Sequence, residues 1–171
     1  MSTRSNVGIK EGNKFKYIYV HFDGYPTGVG ATLRKHYTDP KKVEQLISLG
    51  DCSVLGDVLD PERESFDDYN SKVLNENGSL FYGRDRGEKG TEAKVQDWEE
   101  YLEEQLDDIW IEYIYVFEDG KWKGYSKELY CPIMDKDPEV DDITDEDVKY
   151  SRIESFREIA DEEYEEEDED A

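Results

Sequence analysis

The sequence predicts an α+β fold, in which two antiparallel β-hairpins form one sheet and helices pack mainly on one face. Two hairpin patterns, at residues 5–22 and 109–129, and an amphipathic helix pattern between them support this prediction. The length of 171 residues suits one domain. We expect an α+β core domain at residues 1–134, followed by an acidic C-terminal helix and tail at 135–171.

The first hairpin is formed by the segments SNVGIK and KFKYIYVHF, which flank the turn-forming stretch EGN. Side chains alternate along a strand, so Ile18, Val20 and Phe22 share one face, which we expect to be the core face. The opposite face carries Phe15, Tyr17, Tyr19 and His21. Because those side chains are aromatic and most have polar tips, that face is expected to be half covered or to bind something.

Two helices are expected after the glycine-rich stretch HFDGYPTGVG. The first shows apolar and aromatic residues at helical spacing, namely Val29, Leu33, His36 and Tyr37. In the second, Pro40 suits the first helical position and Gly50 suits the end. Its inward positions are Val43, Leu46, Ile47 and Leu49.

Residues 51–90 are the least regular part and predict a long loop with small helical pieces. Residues 91–107 predict an amphipathic helix with Thr91 as N-cap. The apolar stripe of that helix is Val95, Trp98, Tyr101, Leu102 and Leu106. The second hairpin follows, with its turn at Asp119-Gly120.

The last part of the chain predicts a linker, CPIMDKDPEVDD, and then a helix that begins at Thr144 as N-cap. The apolar residues of that helix are sparse: Val148, Ile153, Phe156 and Ile159. We therefore expect it to cover the fold with one thin stripe.

The formal net charge is −24, and it is unevenly distributed. Residues 1–50 hold eight Lys and Arg against four Asp and Glu, whereas residues 135–171 hold nineteen acids against four bases. Such a field repels nucleic acid and anionic membranes and attracts basic partners. The simpler alternative is that the acids only keep the protein soluble.

The sequence also bears on the compartment and on metals. No apolar signal core and no run of about 18 apolar residues is present, so we expect a cytoplasmic protein. Cys52 and Cys131 stand far apart, which argues against a zinc site and for reduced thiols. GYPTGVG lacks the ending of a P-loop, and DKDPEVDDITDED lacks the glycine and closing glutamate of an EF-hand. Neither a metal nor a cofactor is predicted.

Two groups of residues could carry chemistry. His21, Asp23 and His36 could ligate a metal or act as acid and base, or they could simply shape a strand end and a turn. Arg84 and Arg86, in the segment RDRGEKG, could grip a carboxylate or phosphate, or pair with surface acids.

The segments MSTRSNVGI, YVHFDGYPTGVGATLRKHY, KVEQLISLGDCSVLG and RDRGE resemble a family of small proteins encoded by phages and prophages. The resemblance covers roughly residues 1–90 and, more loosely, residues 110–125. The resemblance implies a phage or mobile-element context and does not imply any particular activity. The family pattern implies a shared site at Arg4, His21, Asp23, Gly24, Tyr25, Arg84, Asp85 and Arg86.

The leading hypothesis is a non-enzymatic phage protein that binds and inhibits a basic, DNA-binding host protein, such as a defence or nucleoid factor. A helix rises 1.5 Å per residue and duplex DNA carries a charge about every 1.7 Å, so a carboxylate array can mimic phosphates. The expected contacts are Asp141, Asp142, Asp145, Glu146, Asp147, Glu154, Glu158, Asp161, Glu162 and Glu163, with Tyr150 and Tyr164 adding aromatic area.

The alternative hypothesis is a small-ligand or nucleotide-handling module, or an enzyme. His21 and Asp23 would be the acid and base, and Arg84 and Arg86 would hold an anionic group, so these four side chains must converge. The candidate pocket comprises Arg4, His21, Asp23, Tyr25, His36, Arg84, Asp85 and Arg86. A third possibility is an acidic structural or accessory phage protein.

Overall fold

The computed structural model describes residues 3–59, 78–130 and 152–165. The strands in that part of the chain are β1 (Arg4–Glu11), β2 (Lys14–Val20), β3 (Cys52–Val54), β4 (Leu80–Phe81), β5 (Lys94–Asp97), β6 (Ile111–Glu118), β7 (Lys121–Tyr130) and β8 (Arg152–Glu158). The helices are α1 (Ala31–His36), α2 (Pro40–Ser48), α3 (Tyr82–Arg86) and α4 (Trp98–Gln105), with a π-helical turn at Pro26–Gly30 and a 3-10 turn at Asp161–Tyr164. None of the described helices has the length and apolar composition needed to cross a membrane.

The strands form one mixed sheet in the order β4-β3-β2-β1-β6-β7-β8, and β5 also pairs with β2. The expected purely antiparallel sheet is wrong, because β1 runs parallel to β6 and β2 runs parallel to β3. Both predicted hairpins form, with β1 antiparallel to β2 and β6 antiparallel to β7. The two hairpins lie side by side in the sheet, with β1 of the first hairpin next to β6 of the second. These two strands form the parallel pair.

The turn of the second hairpin has the backbone expected from its sequence. Asp119 and Gly120 have φ angles of 54° and 76°. Positive φ at both central positions is the requirement of the tight turn that matches strand twist. The prediction of that hairpin is therefore confirmed down to its turn.

Helices cover both faces of the sheet, so the expectation of helices mainly on one face is wrong. One face packs under α1 and α2, where Leu33, Leu46 and Ile47 are buried. On the other face, Tyr101 of α4 packs against the buried aromatic residues of β2. The physical reason is that both faces of β2 are apolar enough to require cover. Phe22, expected in the core, is 42% exposed just beyond the strand.

The predicted helix that begins at Pro40 is confirmed as α2. The Asp39 side chain accepts a hydrogen bond from the backbone N–H of Lys41 at 3.0 Å, which caps the first turn. Gly50 follows the end with a φ of 82°. Residues 51–59 and 78–90 contain the short elements β3, β4 and α3.

The helix predicted for residues 91–107 is wrong in its first half. Residues 94–97 form β5, which pairs with β2 from Lys14↔Asp97 to Tyr17↔Lys94. The helix begins only at Trp98, so Thr91 is not its N-cap, and Val95 is 58% exposed. An open edge of β2 is available to this segment, and edge pairing satisfies backbone groups that a frayed helix end would leave unpaired.

The C-terminal helix is also wrong wherever the structure describes it. Residues 152–158 form β8, antiparallel to β7, and β8 is therefore part of the same sheet. Ser155 pairs with Glu128 and Ile153 with Leu129, so Glu154 is an extra residue in a β-bulge. The bulge breaks the two-residue alternation, which explains why the apolar spacing looked helical. Thr144, Val148 and the linker lie outside the described residues.

Candidate functional site

The stretch HFDGYPTGVG connects β2 to α1 as a turn held by backbone hydrogen bonds. Asp23 has a φ of 58°, and its carbonyl accepts a hydrogen bond from the Val29 N–H at 2.7 Å. Gly24 donates to the Thr3 carbonyl at 2.9 Å and accepts from the Tyr115 hydroxyl at 2.7 Å. This network fixes the loop against the start of β1.

Asp23 and Tyr25 are exposed in this turn, whereas Val29 is buried in the core. The Asp23 carboxylate accepts a hydrogen bond from the Tyr25 hydroxyl at 3.1 Å, and both residues are exposed. The Asp23 carboxylate thus bonds within its own turn, and its predicted roles at a site stay predictions.

His21 stands at the end of β2, where its backbone N–H donates to the Cys52 carbonyl at 3.0 Å. The Nδ1 atom of His21 lies 2.6 Å from the Tyr19 hydroxyl, and its ring packs edge-on against Phe22 at 4.4 Å. Burial lowers the pKa of His21, and the positive charges of Arg4 and Arg86 lower it further. Both effects favour the neutral imidazole.

Arg4 begins β1 and lies opposite His21, because Ser5 pairs with Val20 in the hairpin. Its guanidinium lies 5.2 Å from the ring centre of Trp110, a cation–π contact. Burial raises the pKa of the Tyr19 phenol, while the charge of Arg4 and a hydrogen bond from it act in the opposite direction. Arg4, Tyr19 and His21 are thus in direct electrostatic contact.

Arg86 reaches the same corner from the end of α3. Its guanidinium lies 5.3 Å from the ring centre of Tyr82. Tyr82 donates its backbone N–H to the Asp51 carbonyl at 3.2 Å, and the Asp51 carboxylate accepts from the Tyr19 N–H at 2.9 Å. Asp51 therefore ties α3 to β2, and burial raises the pKa of its carboxyl.

We call this group the corner cluster, and it is defined by Arg4, Tyr19, His21, Tyr82 and Arg86. All five residues are half-buried, so their side chains are accessible. Sequence reasoning named Arg4, His21 and Arg86 as site candidates and missed Tyr82. The sequence signal that could have identified Tyr82 is its position two residues before Arg84, close to Arg86.

Arg84 and Asp85 are held in a different arrangement. The Arg84 guanidinium binds the Asp85 carboxylate through two contacts of 3.0 Å. Asp85 is 9% exposed and also accepts from the Phe81 N–H at 2.7 Å, while Arg84 donates to the Ser79 carbonyl at 3.1 Å. This pair fixes the junction of β4 and α3. Of the four side chains in the alternative hypothesis, Arg86 is near enough to His21 for its charge to lower the pKa of that imidazole. The Asp23 carboxylate bonds to Tyr25, and the Arg84 guanidinium bonds to Asp85.

His36 lies at the exposed end of α1, where its Nε2 is 3.4 Å from the Asp57 carboxylate. The cleft beside it is lined by Arg34, Asp161 and Tyr164, among others. It is a separate surface feature from the corner cluster.

Much of the predicted acidic contact set lies outside the described residues, namely Asp141, Asp142, Asp145, Glu146 and Asp147. Tyr150 also lies outside them, and for Glu154 only the backbone is described. Glu158, Asp161 and Glu162 are exposed. Asp161 is bonded to Arg34 at 3.1 Å, and Glu163 is bonded to Arg157 at 2.8 and 2.9 Å. Tyr164 is 8% exposed and packs inward, so it offers little contact area.

A second acidic surface was not predicted. Residues 98–112 contain seven acids and neither Lys nor Arg: Glu99, Glu100, Glu103, Glu104, Asp107, Asp108 and Glu112. Within the described residues, none of the seven forms an ion pair at or below 4.0 Å. Leu106, Ile109 and Trp110 are 38%, 46% and 67% exposed in the same segment. We call these ten residues the acidic-apolar surface.

The described part of the chain contains no group of three or more His, Cys, Asp or Glu side chains placed to hold a metal ion. Comparison with protein-family models, curated proteins and solved structures gave no match, so the resemblance to phage proteins stays a prediction.

Proposed function

We propose that this chain is a non-catalytic binding protein that docks on a basic, nucleic-acid-binding protein and competes with nucleic acid for it. The observation that carries the proposal is the acidic-apolar surface, where carboxylates without an ion pair among the described residues occur in the same segment as exposed apolar side chains. The resemblance to phage proteins suggests a host protein as the target.

Several acids of α4 repel one another, although Glu99 and Glu100 lie in the first turn, where the helix dipole favours negative charge. Glu99 and Glu103 are four residues apart, as are Glu100 and Glu104, and like charges at that spacing repel by a few tenths of a kcal/mol per pair. Asp107 follows the C-terminal end, where the helix dipole disfavours negative charge. A basic partner bound to these carboxylates would relieve this repulsion.

The apolar members of the surface supply anchors. Interfaces draw most of their energy from a few buried aromatic or apolar side chains, surrounded by polar residues. Trp110 is 67% exposed and Ile109 46%. The carboxylates around them would steer a basic protein toward the surface and set its orientation.

The C-terminal acids contribute to the same attraction. Glu158, Asp161 and Glu162 are exposed, and residues 135–171 carry nineteen acids against four bases. Competition with nucleic acid follows if carboxylates occupy the phosphate-binding groove of the partner.

The test begins with affinity capture from a bacterial lysate on the full-length protein. A retained basic protein is then purified, and its dissociation constant is measured across a range of salt concentrations with and without duplex DNA. We expect affinity to fall steeply with salt and DNA to displace the chain.

Variants test whether the acidic-apolar surface is the surface that binds the partner. The triple change Glu103→Gln, Asp107→Asn and Trp110→Ala should weaken binding at least about tenfold. The matched control replaces the same number of groups at the other acidic segment, with Glu158→Gln, Glu162→Gln and Tyr164→Phe, and should weaken it much less. Binding that barely changes with salt, or a ternary complex with DNA, would contradict the proposal.

A further inference from the structure

The corner cluster contains two arginines and a histidine from three separate elements, in a chain of net charge −24. Arg4 comes from β1, His21 from the end of β2 and Arg86 from α3. The positive charges of both arginines act on the same imidazole and lower its pKa. A bound anion would interact favourably with these positive charges.

Arg4 differs from the other arginines whose contacts are described. Arg34, Arg84 and Arg157 each hold a carboxylate at 2.8–3.1 Å. Arg4 forms no such ion pair within the described residues and stacks on the Trp110 ring instead. The carboxylate of Asp51, near the cluster, is directed to the backbone N–H of Tyr19. The Arg4 guanidinium also makes a hydrogen bond to Tyr19, and its remaining N–H groups can donate to an incoming anion.

The donors in the cluster suit a phosphate group. Guanidinium forks bind phosphate oxygens through paired hydrogen bonds. When Nδ1 of His21 accepts the Tyr19 hydroxyl proton at 2.6 Å, Nε2 carries the ring proton and can donate to the ligand. The Tyr82 hydroxyl is a further donor beside Arg86. A phosphate dianion has enough acceptor positions for all of them.

We propose that the corner cluster binds the phosphate group of a small ligand. Two exposed aromatic rings border the cluster: Phe22 against His21, and Trp110 against Arg4. These rings offer surface to the remainder of the ligand, and a nucleotide has the planar group that such rings stack against. Phosphate binding here does not require partner docking, although Trp110 belongs to the acidic-apolar surface and also stacks on Arg4.

The two histidines of the sequence make the test direct. Imidazole NMR of the full-length protein reports His21 at the cluster and His36 as an internal control. The probes are inorganic phosphate, adenosine monophosphate and adenosine, at constant ionic strength. A bound dianion favours the imidazolium, so phosphate and adenosine monophosphate should raise the pKa of His21 saturably, by roughly one pH unit, and leave His36 unchanged.

Arginine variants show whether the cluster is responsible. Arg4→Gln should abolish the saturable response of His21, whereas the matched control Arg157→Gln, on β8, should retain it. Arg4→Lys keeps the charge and loses the fork, so it should bind at least several-fold more weakly. The chemical-shift dispersion of each spectrum shows whether the variant is folded. If Arg4→Gln is unfolded, the weaker binding expected of Arg4→Lys still tests the proposal.

The three probes separate the sources of the phosphate. Equal responses to phosphate and adenosine monophosphate support a site for phosphate alone, and a stronger response to adenosine monophosphate supports a nucleotide site. A response to adenosine but not to phosphate, parallel responses of both histidines, or full retention by Arg4→Gln would overturn the proposal.

Discussion

Lys127 is a half-buried cation beside the C-terminal end of α4. Its Nζ donates to the Gln105 side-chain oxygen at 2.6 Å and to the Asp108 carbonyl at 2.8 Å. These bonds satisfy groups near the helix end, where positive charge is favourable. Burial nevertheless lowers the pKa of Lys127 to about 8, against a smaller opposing effect of Asp108.

This lysine predicts an unusual dependence of stability on pH. Between pH 8 and about 10 the folded Lys127 loses its proton while the unfolded chain keeps it, so the free energy of unfolding rises with pH. Burial raises the pKa of Tyr37 and Tyr164 to about 12. Their contribution to the free energy of unfolding is therefore fully present below about pH 10 and is lost as the pH rises above that value. Stability should therefore peak near pH 10.

Urea unfolding at several pH values checks this prediction. Lys127→Met should remove the rise, which we expect to be about 2 kcal/mol. Lys123→Met changes an exposed lysine of the same strand and should leave the rise in place. A rise that survives Lys127→Met would assign it to another group.

At the scale of elements, the segment after β8 is fixed by close packing of Tyr164. Tyr164 is 8% exposed and lies against Gly30, Gly124 and Tyr115. A Cβ at Gly30 would lie 2.9 Å from the Tyr164 ring, and one at Gly124 would lie 2.8 Å from the Ile159 side chain and also meet the Tyr164 hydroxyl. The two glycines therefore make room for the end of the described chain.

A double-mutant cycle tests this packing. Gly124→Ala should lower the free energy of unfolding by about 1–3 kcal/mol, because the added methyl group overpacks the contact. In a Tyr164→Ala background the same change should cost clearly less, since the clashing ring is gone. Gly87→Ala, where an added Cβ meets nothing within 4 Å but φ is 66°, reports the cost of backbone strain alone. Additive effects of Gly124→Ala and Tyr164→Ala would contradict the packing argument.

The elements also show what the sequence could and could not predict. The two hairpins and α2 were predictable, because alternation, a two-residue turn and a capped helix are local signals. The strands β5 and β8 were not, because each is decided by an open edge of a strand distant in sequence. In the corner cluster, Arg4, His21 and Arg86 stood out by residue type, but their convergence depends on the pairing of β2 with β1 and β3.

At the scale of the whole molecule, the net charge of −24 makes the folded state repel itself. Folding gathers these charges within a small volume, and salt screens them. The free energy of unfolding should therefore rise as sodium chloride increases from about 10 mM to about 300 mM, where the screening length falls from about 30 Å to below 10 Å.

Thermal or urea unfolding at fixed pH checks the salt prediction. Neutralising three acids of α4 and its C-terminal end, with Glu99→Gln, Glu103→Gln and Asp107→Asn, should raise stability at low salt and flatten the response. A matched set of three neutral exposed changes, Asn13→Ser, Thr38→Ser and Gln45→Asn, should leave the response unchanged. Stability that falls with salt would show that ion pairs dominate over repulsion.

The parallel pairing of β1 with β6 has a consequence for synthesis on the ribosome. The partner of β1 on one side, from Ile111 to Phe117, is translated more than a hundred residues after β1 itself. The nascent chain must therefore carry the first hairpin with one edge of β1 uncovered until β6 has been made. Chains that terminate before residue 111 would keep that edge open, which makes incomplete products candidates for edge-to-edge aggregation or proteolysis.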